Sequence, residues 1–159
     1  MKTYRFESQL WLPQARDQIF KFFADPRNLE RLTPDWLHFE ILTAPEIEIG
    51  EGTLVDYRLR LRGIPLRWES EIQVWQPPHR FIDRQTRGPY SLWVHEHTFT
   101  EKDNGTVVGD KVEYAVPGGR LVQKFFVAPD LERIFQYRHR VLEEIFQSPG
   151  RTAGQSISG

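Results

Sequence analysis

Two histidines separated by one residue are the clearest candidates for chemistry in this sequence. His95 and His97 stand in an alternating stretch that predicts a β-strand, so both imidazoles share one face, roughly 6–7 Å apart along the backbone. Asp83 and Tyr114 are predicted to flank His95 on the neighbouring strands, where they could hydrogen-bond the imidazole and fix its tautomer. The arrangement suits a general acid/base or a polar anchor for a bound ligand.

The histidine pair could also bind a metal ion, with Asp83 or Asp110 as a third ligand. The chain has no cysteine and the pattern does not place a third ligand, so hydrogen-bonded histidines explain the motif more simply. We therefore expect no metal and no cofactor. Neither a nucleophile elbow nor a glycine-rich phosphate loop occurs, and we expect no hydrolysis of simple esters, phosphates or nucleotides.

The bulk composition excludes several classes of protein. The 21 basic and 22 acidic residues give a formal charge of -1, which leaves no global field to attract nucleic acid or an anionic bilayer. The absence of cysteine excludes disulfides and thiol catalysis and favours a cytoplasmic location. No apolar run is long enough for a membrane span, so we expect no integral membrane association. We expect a monomer or a weak homodimer.

The periodicity predicts one α+β domain at residues 1–147, followed by a disordered tail at 148–159. Residues 3–12 alternate as a strand, and two short helices follow, ending at Asp25-Pro26 and Thr33-Pro34. About six strands form a meander from residue 38 to residue 117. A long helix then runs to Phe146, and Pro129 predicts a kink or short break near Ala128 that divides it into two segments.

Turn positions predict the strand register. A four-residue loop between Arg62 and Arg67 would set Arg58 opposite Glu71 and Arg60 opposite Glu69 on a solvated, charge-paired face. The opposite face then carries an apolar wall formed by Val55, Tyr57, Leu59, Leu61, Trp68, Ser70, Ile72 and Val74. Turns at Gly88-Pro89-Tyr90 and Asn104-Gly105 predict the pairs Phe81 with His97, Asp83 with His95, Phe99 with Asp110, His97 with Val112, and His95 with Tyr114.

Three segments resemble a known family. The runs RGPYSLWVHEHTF (87–99), DKVEYAVPG (110–118) and IFQYRHRVL (134–142) resemble the bacterial ligand-binding branch of the START-like superfamily. That superfamily includes polyketide cyclases, coenzyme Q-binding proteins and birch-pollen-allergen-like proteins. The resemblance implies a helix-grip fold, in which a curved seven-stranded antiparallel sheet wraps around the long C-terminal helix and encloses a hydrophobic cavity.

The resulting functional prediction is binding of a hydrophobic small molecule (a lipid, a quinone or a polyketide-like compound) without catalysis, in a cavity between the sheet and residues 121–146. The candidate ligand-binding residues are Tyr57, Leu59, Trp68, Ile72, Asp83, Trp93, His95, His97, Phe99, Asp110, Tyr114, Phe135, Arg138 and Leu142. Aromatic residues make up 13% of the chain, and they could equally form an ordinary aromatic core without a cavity.

Two other functional classes stay open at this point. In a cyclase or dehydratase, His95 would act as a general acid/base oriented by Asp83, and Tyr114 or Arg138 would stabilise an enolate. In an interaction or lipid-presenting module, Trp11, Trp36 and the proline-rich residues 76–79 would form an outer patch.

Arg138 has an unusual position in the helical pattern. It lies four residues from both Ile134 and Leu142 on the apolar stripe, which predicts that it points into the cavity near His95. A buried guanidinium needs an acidic partner, such as Asp110 or Asp83, or an anionic ligand group. The alternatives are a purely structural salt bridge and a side chain that snorkels to the helix edge.

Overall fold

The computed structural model describes residues 1–44 and 46–147. Seven antiparallel strands form one sheet in the order β1-β7-β6-β5-β4-β3-β2. The strands are β1 (Tyr4–Leu12), β2 (Glu40–Ile41), β3 (Leu54–Leu61), β4 (Ile64–Gln76), β5 (Arg80–Arg87), β6 (Leu92–Lys102) and β7 (Gly105–Ala115). The curved sheet and the long C-terminal helix confirm the predicted helix-grip fold. The predicted tail at 148–159 lies outside the described residues.

The two short helices after the first strand are also confirmed. They are α1 (Arg16–Phe23) and α2 (Arg27–Leu32), and a 3-10 turn follows at Asp35–Leu37. The chain turns between α1 and α2 where the Asp25 carboxylate accepts a hydrogen bond from the backbone N–H of Arg27. α1 buries Ile19 and Phe20 against the sheet.

The predicted register of β3 and β4 is wrong, because the turn is shorter than expected. Arg62 and Gly63, with φ of 49° and 79°, form a two-residue turn, and Leu61 pairs with Ile64. Pro65 can occupy β4 because β5 ends opposite Glu69, so no neighbouring strand needs a backbone donor from it. Arg58 therefore faces Arg67, not a glutamate. The shift is an even number of residues, so the inward face is preserved.

The predicted register of β6 and β7 is wrong by two residues, whereas that of β5 and β6 is confirmed. The turn consists of Asp103 and Asn104, both with positive φ, and Gly105 already belongs to β7. A Cβ atom on Gly105 would lie 2.4 Å from the carbonyl oxygen of Leu12. Glycine is therefore needed at this position for the close approach of β1 to β7, and not for the conformation of the turn. In consequence His97, not Phe99, lies opposite Asp110.

The kink or short break predicted near Ala128 corresponds to a π-helical turn between two α-helical segments, without a gap in the helix. α3 (Gly119–Val122) passes through a π-helical turn (Gln123–Val127) into α4 (Ala128–Ile145), with Pro129 in the first turn of α4. The π turn changes the hydrogen-bond spacing just ahead of the proline, which has no donor to contribute. The predicted apolar stripe holds only for α4, because Leu121, Phe125 and Phe126 are exposed.

Buried apolar residues form two clusters. The first, called the packed cluster below, comprises Leu12, Ile19, Phe20, Leu32, Phe81, Phe99, Val108, Leu142 and Phe146. The second, called the cavity cluster, comprises Leu37, Leu59, Trp68, Trp93, Val112, Tyr114, Leu131 and Phe135. α4 crosses both clusters, the packed one near its C-terminal end and the cavity one near its N-terminal end.

Within the described residues, no helix is both long enough and apolar enough to cross a membrane.

Candidate functional site

A cavity of about 220 Å³ lies between the concave face of the sheet, α2 and α4. Its walls are mostly aromatic and aliphatic, and among the residues that the structure describes the ionisable side chains at the wall, besides two tyrosines, are Asp83, His95, His97 and Arg138. The cavity thus combines an apolar body with one polar region, which is the usual composition of a small-molecule site.

Ten of the predicted ligand-binding residues line this cavity: Tyr57, Leu59, Trp68, Ile72, Asp83, Trp93, His95, His97, Phe135 and Arg138. The other four do not. Phe99 and Leu142 belong to the packed cluster, and Tyr114 is buried beside the π-helical turn, where its hydroxyl accepts a hydrogen bond from Gln123. Asp110 lies behind the two histidines.

Several wall residues were not predicted. Trp75 faces the cavity where Val74 was expected, because a register shift between Ile72 and Val74 reverses the alternation of β4. Alternation alone gives no signal for such a bulge. The short helices contribute Phe23 and Leu29, whose apolar positions were visible in the sequence although their distance from the sheet was not.

Each histidine is held by one carboxylate. His95 Nε2 lies 2.7 Å from Asp110 Oδ1, and His97 Nε2 lies 2.7 Å from Asp83 Oδ2. Asp83 does stand opposite His95 in the sheet, as predicted, but it bonds to His97. Tyr114 does not flank His95, because the two-residue error in register places it opposite Trp93. The imidazole rings stack with their centroids 3.7 Å apart.

The electrostatics of this cluster favour ionised carboxylates and a neutral His97. Burial lowers the pKa of His97 to about 4, so the ring is neutral at neutral pH and donates its Nε2–H to Asp83. Its Nδ1 is then an acceptor, buried and without a hydrogen-bond partner. Burial alone would raise the pKa of Asp83, but the hydrogen bond from His97 offsets this and the pKa lies below its usual value.

Asp110 is the most enclosed carboxylate of the cluster. Burial opposes its ionisation, yet the charge of Arg138 and the hydrogen bond from His95 together hold its pKa well below the usual range. Asp110 Oδ1 lies 3.6 Å from His97 Nδ1 and 3.8 Å from Arg138 Nη2, so one oxygen is shared by three side chains.

Arg138 points inward, as its helical phase predicts, and does not snorkel, since only 7% of the residue is exposed. Its guanidinium lies over the rings of Phe23 and Phe135, with centroid distances of 5.7 and 5.4 Å. The contact with Asp110 supplies the acidic partner, although 3.8 Å is longer than a hydrogen bond. Arg138 Nε is buried and has no hydrogen-bond partner.

Comparison with known protein families assigns this chain to one of them. A family model described as "Polyketide cyclase / dehydrase and lipid transport" matches residues 12–137. The chain belongs to this family. The START-like resemblance in the sequence is thereby confirmed, and the family description covers both catalytic and ligand-carrying members. No curated protein matches the chain.

Solved structures of low sequence identity share the fold of this polyketide cyclase and lipid transport family member. The Zhui aromatase/cyclase of a Streptomyces species is 16% identical, with a TM-score of 0.70 over 90% of this chain and 93% of that one. The Panax ginseng major latex-like protein 151 is 13% identical, with a TM-score of 0.68 over 91% and 97%. A protein from Thermus thermophilus is 15% identical, with a TM-score of 0.71 over 89% and 95%. At these identities the comparison shows the fold alone.

Away from the histidines, Ser70 organises the rings of the cavity wall. Its hydroxyl accepts a hydrogen bond from Trp68 Nε1 and shares another with the Tyr57 hydroxyl, both at 3.0 Å. The Tyr57 and Trp68 rings stack with an interplanar angle of 18°. Burial, reinforced by the charge of Asp83, raises the pKa of Tyr57, so its hydroxyl stays protonated.

Asp83, His95 and His97 are also the described residues with the best geometry for a metal ion, since one potential ligand atom from each lies within 4.8 Å of the others. A metal would have to replace the hydrogen bond between His97 and Asp83, and the Arg138 cation would oppose it electrostatically. These features disfavour a resident metal, and its absence stays a prediction.

Proposed function

We propose that this chain binds a compact, mostly apolar ligand in the cavity, with the ligand's polar group at the cluster of Asp83, His97 and Arg138. The observation that carries the proposal is the mostly apolar, ring-lined cavity with its ionisable side chains grouped at one place on the wall. A cytoplasmic location and a monomeric or weakly dimeric state belong to the same proposal.

The charges of the cluster favour a neutral polar group. Asp83 and Asp110 are ionised, His97 is neutral, and Arg138 is the guanidinium that offsets them. A carboxylate on the ligand would bring a third negative charge into this buried region, at a large desolvation cost. A neutral hydroxyl adds no charge, and it can donate a hydrogen bond to the ionised Asp83 carboxylate at the cavity wall.

The volume favours a ligand with one or two rings. The cavity of about 220 Å³ is smaller than the ~300–1,000 Å³ typical of sites for drug-sized ligands. A polyketide-like aromatic ring fits this space better than a full acyl chain.

A matched pair of probes tests the proposal, with 2-naphthol as the neutral ligand and 2-naphthoate as the anion. Calorimetric titration at neutral pH should show 2-naphthol binding at least ~10-fold more tightly, because only the anion pays for burial beside two carboxylates. The variant Ile134→Phe, which introduces a ring at the cavity wall where the ligand would lie, should abolish binding, whereas Leu54→Phe, outside the wall, should leave it unchanged. Equal affinities would contradict the neutral-group argument, and binding that survives Ile134→Phe would contradict the cavity as the site.

Arg138→Lys tests the ligand-binding role of the guanidinium. Lysine keeps the positive charge near Asp110 but removes the planar guanidinium at the cavity wall, so affinity for 2-naphthol should fall by about 1–3 kcal/mol with little change in unfolding free energy. An unchanged affinity would make Arg138 structural.

A second candidate function, cyclisation or dehydration of a polyketide-like substrate, is favoured by one observation. Both imidazoles line the cavity and each is oriented by a carboxylate, which is the arrangement of a general acid/base. Incubation with a linear poly-β-ketone mimic and chromatography of the products would reveal turnover. Products that form with the unmodified protein, but not with His95→Gln, would favour the enzyme over the binding protein.

A further inference from the structure

A group of exposed apolar side chains occupies one end of the molecule. Ile64, at the turn between β3 and β4, and Leu121, Phe125 and Phe126, on α3 and the π turn, are each 47–68% exposed. Arg62 joins the two segments, with its guanidinium 4.8 Å from the centre of the Phe126 ring and 3.0 Å from Asp130. We call these four apolar residues and their basic neighbours the tip surface.

The charge of the tip surface differs from that of the rest of the chain. Residues 57–68 and 114–130 contain the basic side chains Arg58, Arg60, Arg62, Arg67, Arg120 and Lys124 and one acidic side chain, Asp130. The remainder has fifteen basic residues against 21 acidic ones, so the overall charge of -1 conceals a basic end.

Part of this basic charge is not neutralised by neighbours. Arg58 pairs with Glu40 and Arg62 with Asp130. Among the described residues, Arg60 and Arg67 form no ion pair, because the two-residue turn places them away from the glutamates that the sequence appeared to offer. Apolar side chains ringed by uncompensated cations are typical of proteins that bind at a membrane interface.

We propose that the tip surface docks on an anionic lipid bilayer. Ile64, Phe125 and Phe126 would enter the boundary between headgroups and acyl chains, and Arg60, Arg67 and Lys124 would lie beside the lipid phosphates. A protein partner fits less well, since a stable protein interface buries about 800 Å² on each side and four partly exposed side chains without a groove supply much less.

The tip surface lies next to one end of the cavity, so docking would bring the cavity close to the bilayer. Leu61 and Leu131 line the cavity and are the sequence neighbours of Arg62 and Asp130, so the salt bridge lies next to one end of the cavity wall. Docking would place that end of the cavity against the bilayer. The proposal depends only on the surface residues and holds whatever ligand the cavity accepts.

Flotation of the full chain with lipid vesicles tests the proposal. Vesicles made of equal parts phosphatidylcholine and phosphatidylglycerol should bind the protein, vesicles of phosphatidylcholine alone should bind it much less, and added salt should release it. Equal binding to both kinds of vesicle, or binding to neither, would overturn the proposal.

Surface variants separate the apolar and electrostatic parts of the interaction. Phe125→Ser with Phe126→Ser should weaken partitioning by roughly 10-fold or more, and Arg60→Gln with Arg67→Gln by about 5-fold for each charge removed. The matched control, Leu42→Ser with Leu54→Ser, removes two exposed apolar side chains near the opposite end of β3 and should bind as the unmodified protein does. A control that loses binding equally, or a Phe125/Phe126 variant that loses only self-association in sedimentation, would contradict a membrane-docking role.

Discussion

The packed cluster and the cavity cluster are built from similar aromatic and aliphatic residues under one helix, yet only one of them encloses a cavity. Six of the eight residues of the cavity cluster line the void, against two of the nine in the packed cluster. The aromatic content of the sequence therefore could not distinguish a ring-lined cavity from an ordinary core, because both are present.

The difference lies in what fills the space between α4 and the sheet. At the packed end, α1 inserts Phe20, whose ring makes edge contacts with Phe81 and Phe99. At the other end the rings contact one another along the sheet, as Trp68 does with Tyr57 and Trp93, and Ser70 holds the polar edge of Trp68. Rings fixed against the sheet leave the gap below α4 open.

The largest expected effect comes from a matched pair of leucine truncations. Leu142→Ala in the packed cluster should lower the free energy of unfolding by about 3–5 kcal/mol, because the surrounding side chains cannot collapse into the space. Leu59→Ala, at the cavity wall, should cost about 2 kcal/mol, since that side chain already faces a void on one side. Urea unfolding measures both, and equal costs would show that the two clusters are packed alike.

The second-largest expected effect is a pH dependence of the free energy of unfolding that arises from His97, which lines the cavity. The folded pKa of His97, about 4, lies below its ordinary value of 6.5, so the unfolded chain takes up this proton first as the pH falls. The free energy of unfolding should therefore decline between pH 6.5 and about 4, by up to about 3 kcal/mol from this group at ~1.4 kcal/mol per pK unit.

His97→Gln provides the reference, since glutamine can donate to Asp83 without titrating. Unfolding midpoints measured across this pH range should converge for the two proteins as the pH falls. Parallel curves would mean that the pKa of His97 is the same in the folded and the unfolded chain, which would contradict the lowered folded value.

The sequence predicted most of the fold because turn chemistry and alternation are local signals. Except for β4 beyond Ile72, the inward faces of β3 to β7 were correct even where the register was wrong, since errors of two or four residues leave a side chain on the same face. The pairing of His97 with Asp83, and of His95 with Asp110, could not be obtained, because each aspartate bonds to the histidine diagonal to it and not to the one directly opposite, and strand register alone does not predict this. The bulge near Val74 and the exposure of Phe125 depend on packing across the sheet, which no local pattern records.

A smaller effect is expected at Ser70. Ser70→Ala removes the shared partner of Trp68 and Tyr57 and leaves two buried polar groups unsatisfied, so it should cost about 1–3 kcal/mol of unfolding free energy. Ser91→Ala, on the exposed start of β6, is the control and should cost less than ~0.5 kcal/mol. A cost at Ser70 no greater than the control would show that the rings do not depend on this hydroxyl.

The smallest change in stability is expected when the cavity is filled. Ile134→Phe adds a ring at the cavity wall and should alter the unfolding free energy by less than about 1 kcal/mol, because space is available for it. A destabilisation of about 1–3 kcal/mol, as is usual for overpacking a dense core, would mean that this end has no usable void.

Native mass spectrometry of the protein purified from its own cells, followed by solvent extraction, tests the binding function most directly. The unmodified protein should carry a compact compound with one or two rings and a neutral hydroxyl, bound with one-to-one stoichiometry. Ile134→Phe prepared in the same way should carry none. A protein that carries nothing and binds no neutral ring compound on titration, or one that carries its compound equally well after Ile134→Phe, would contradict the assignment of the cavity as a ligand-binding site.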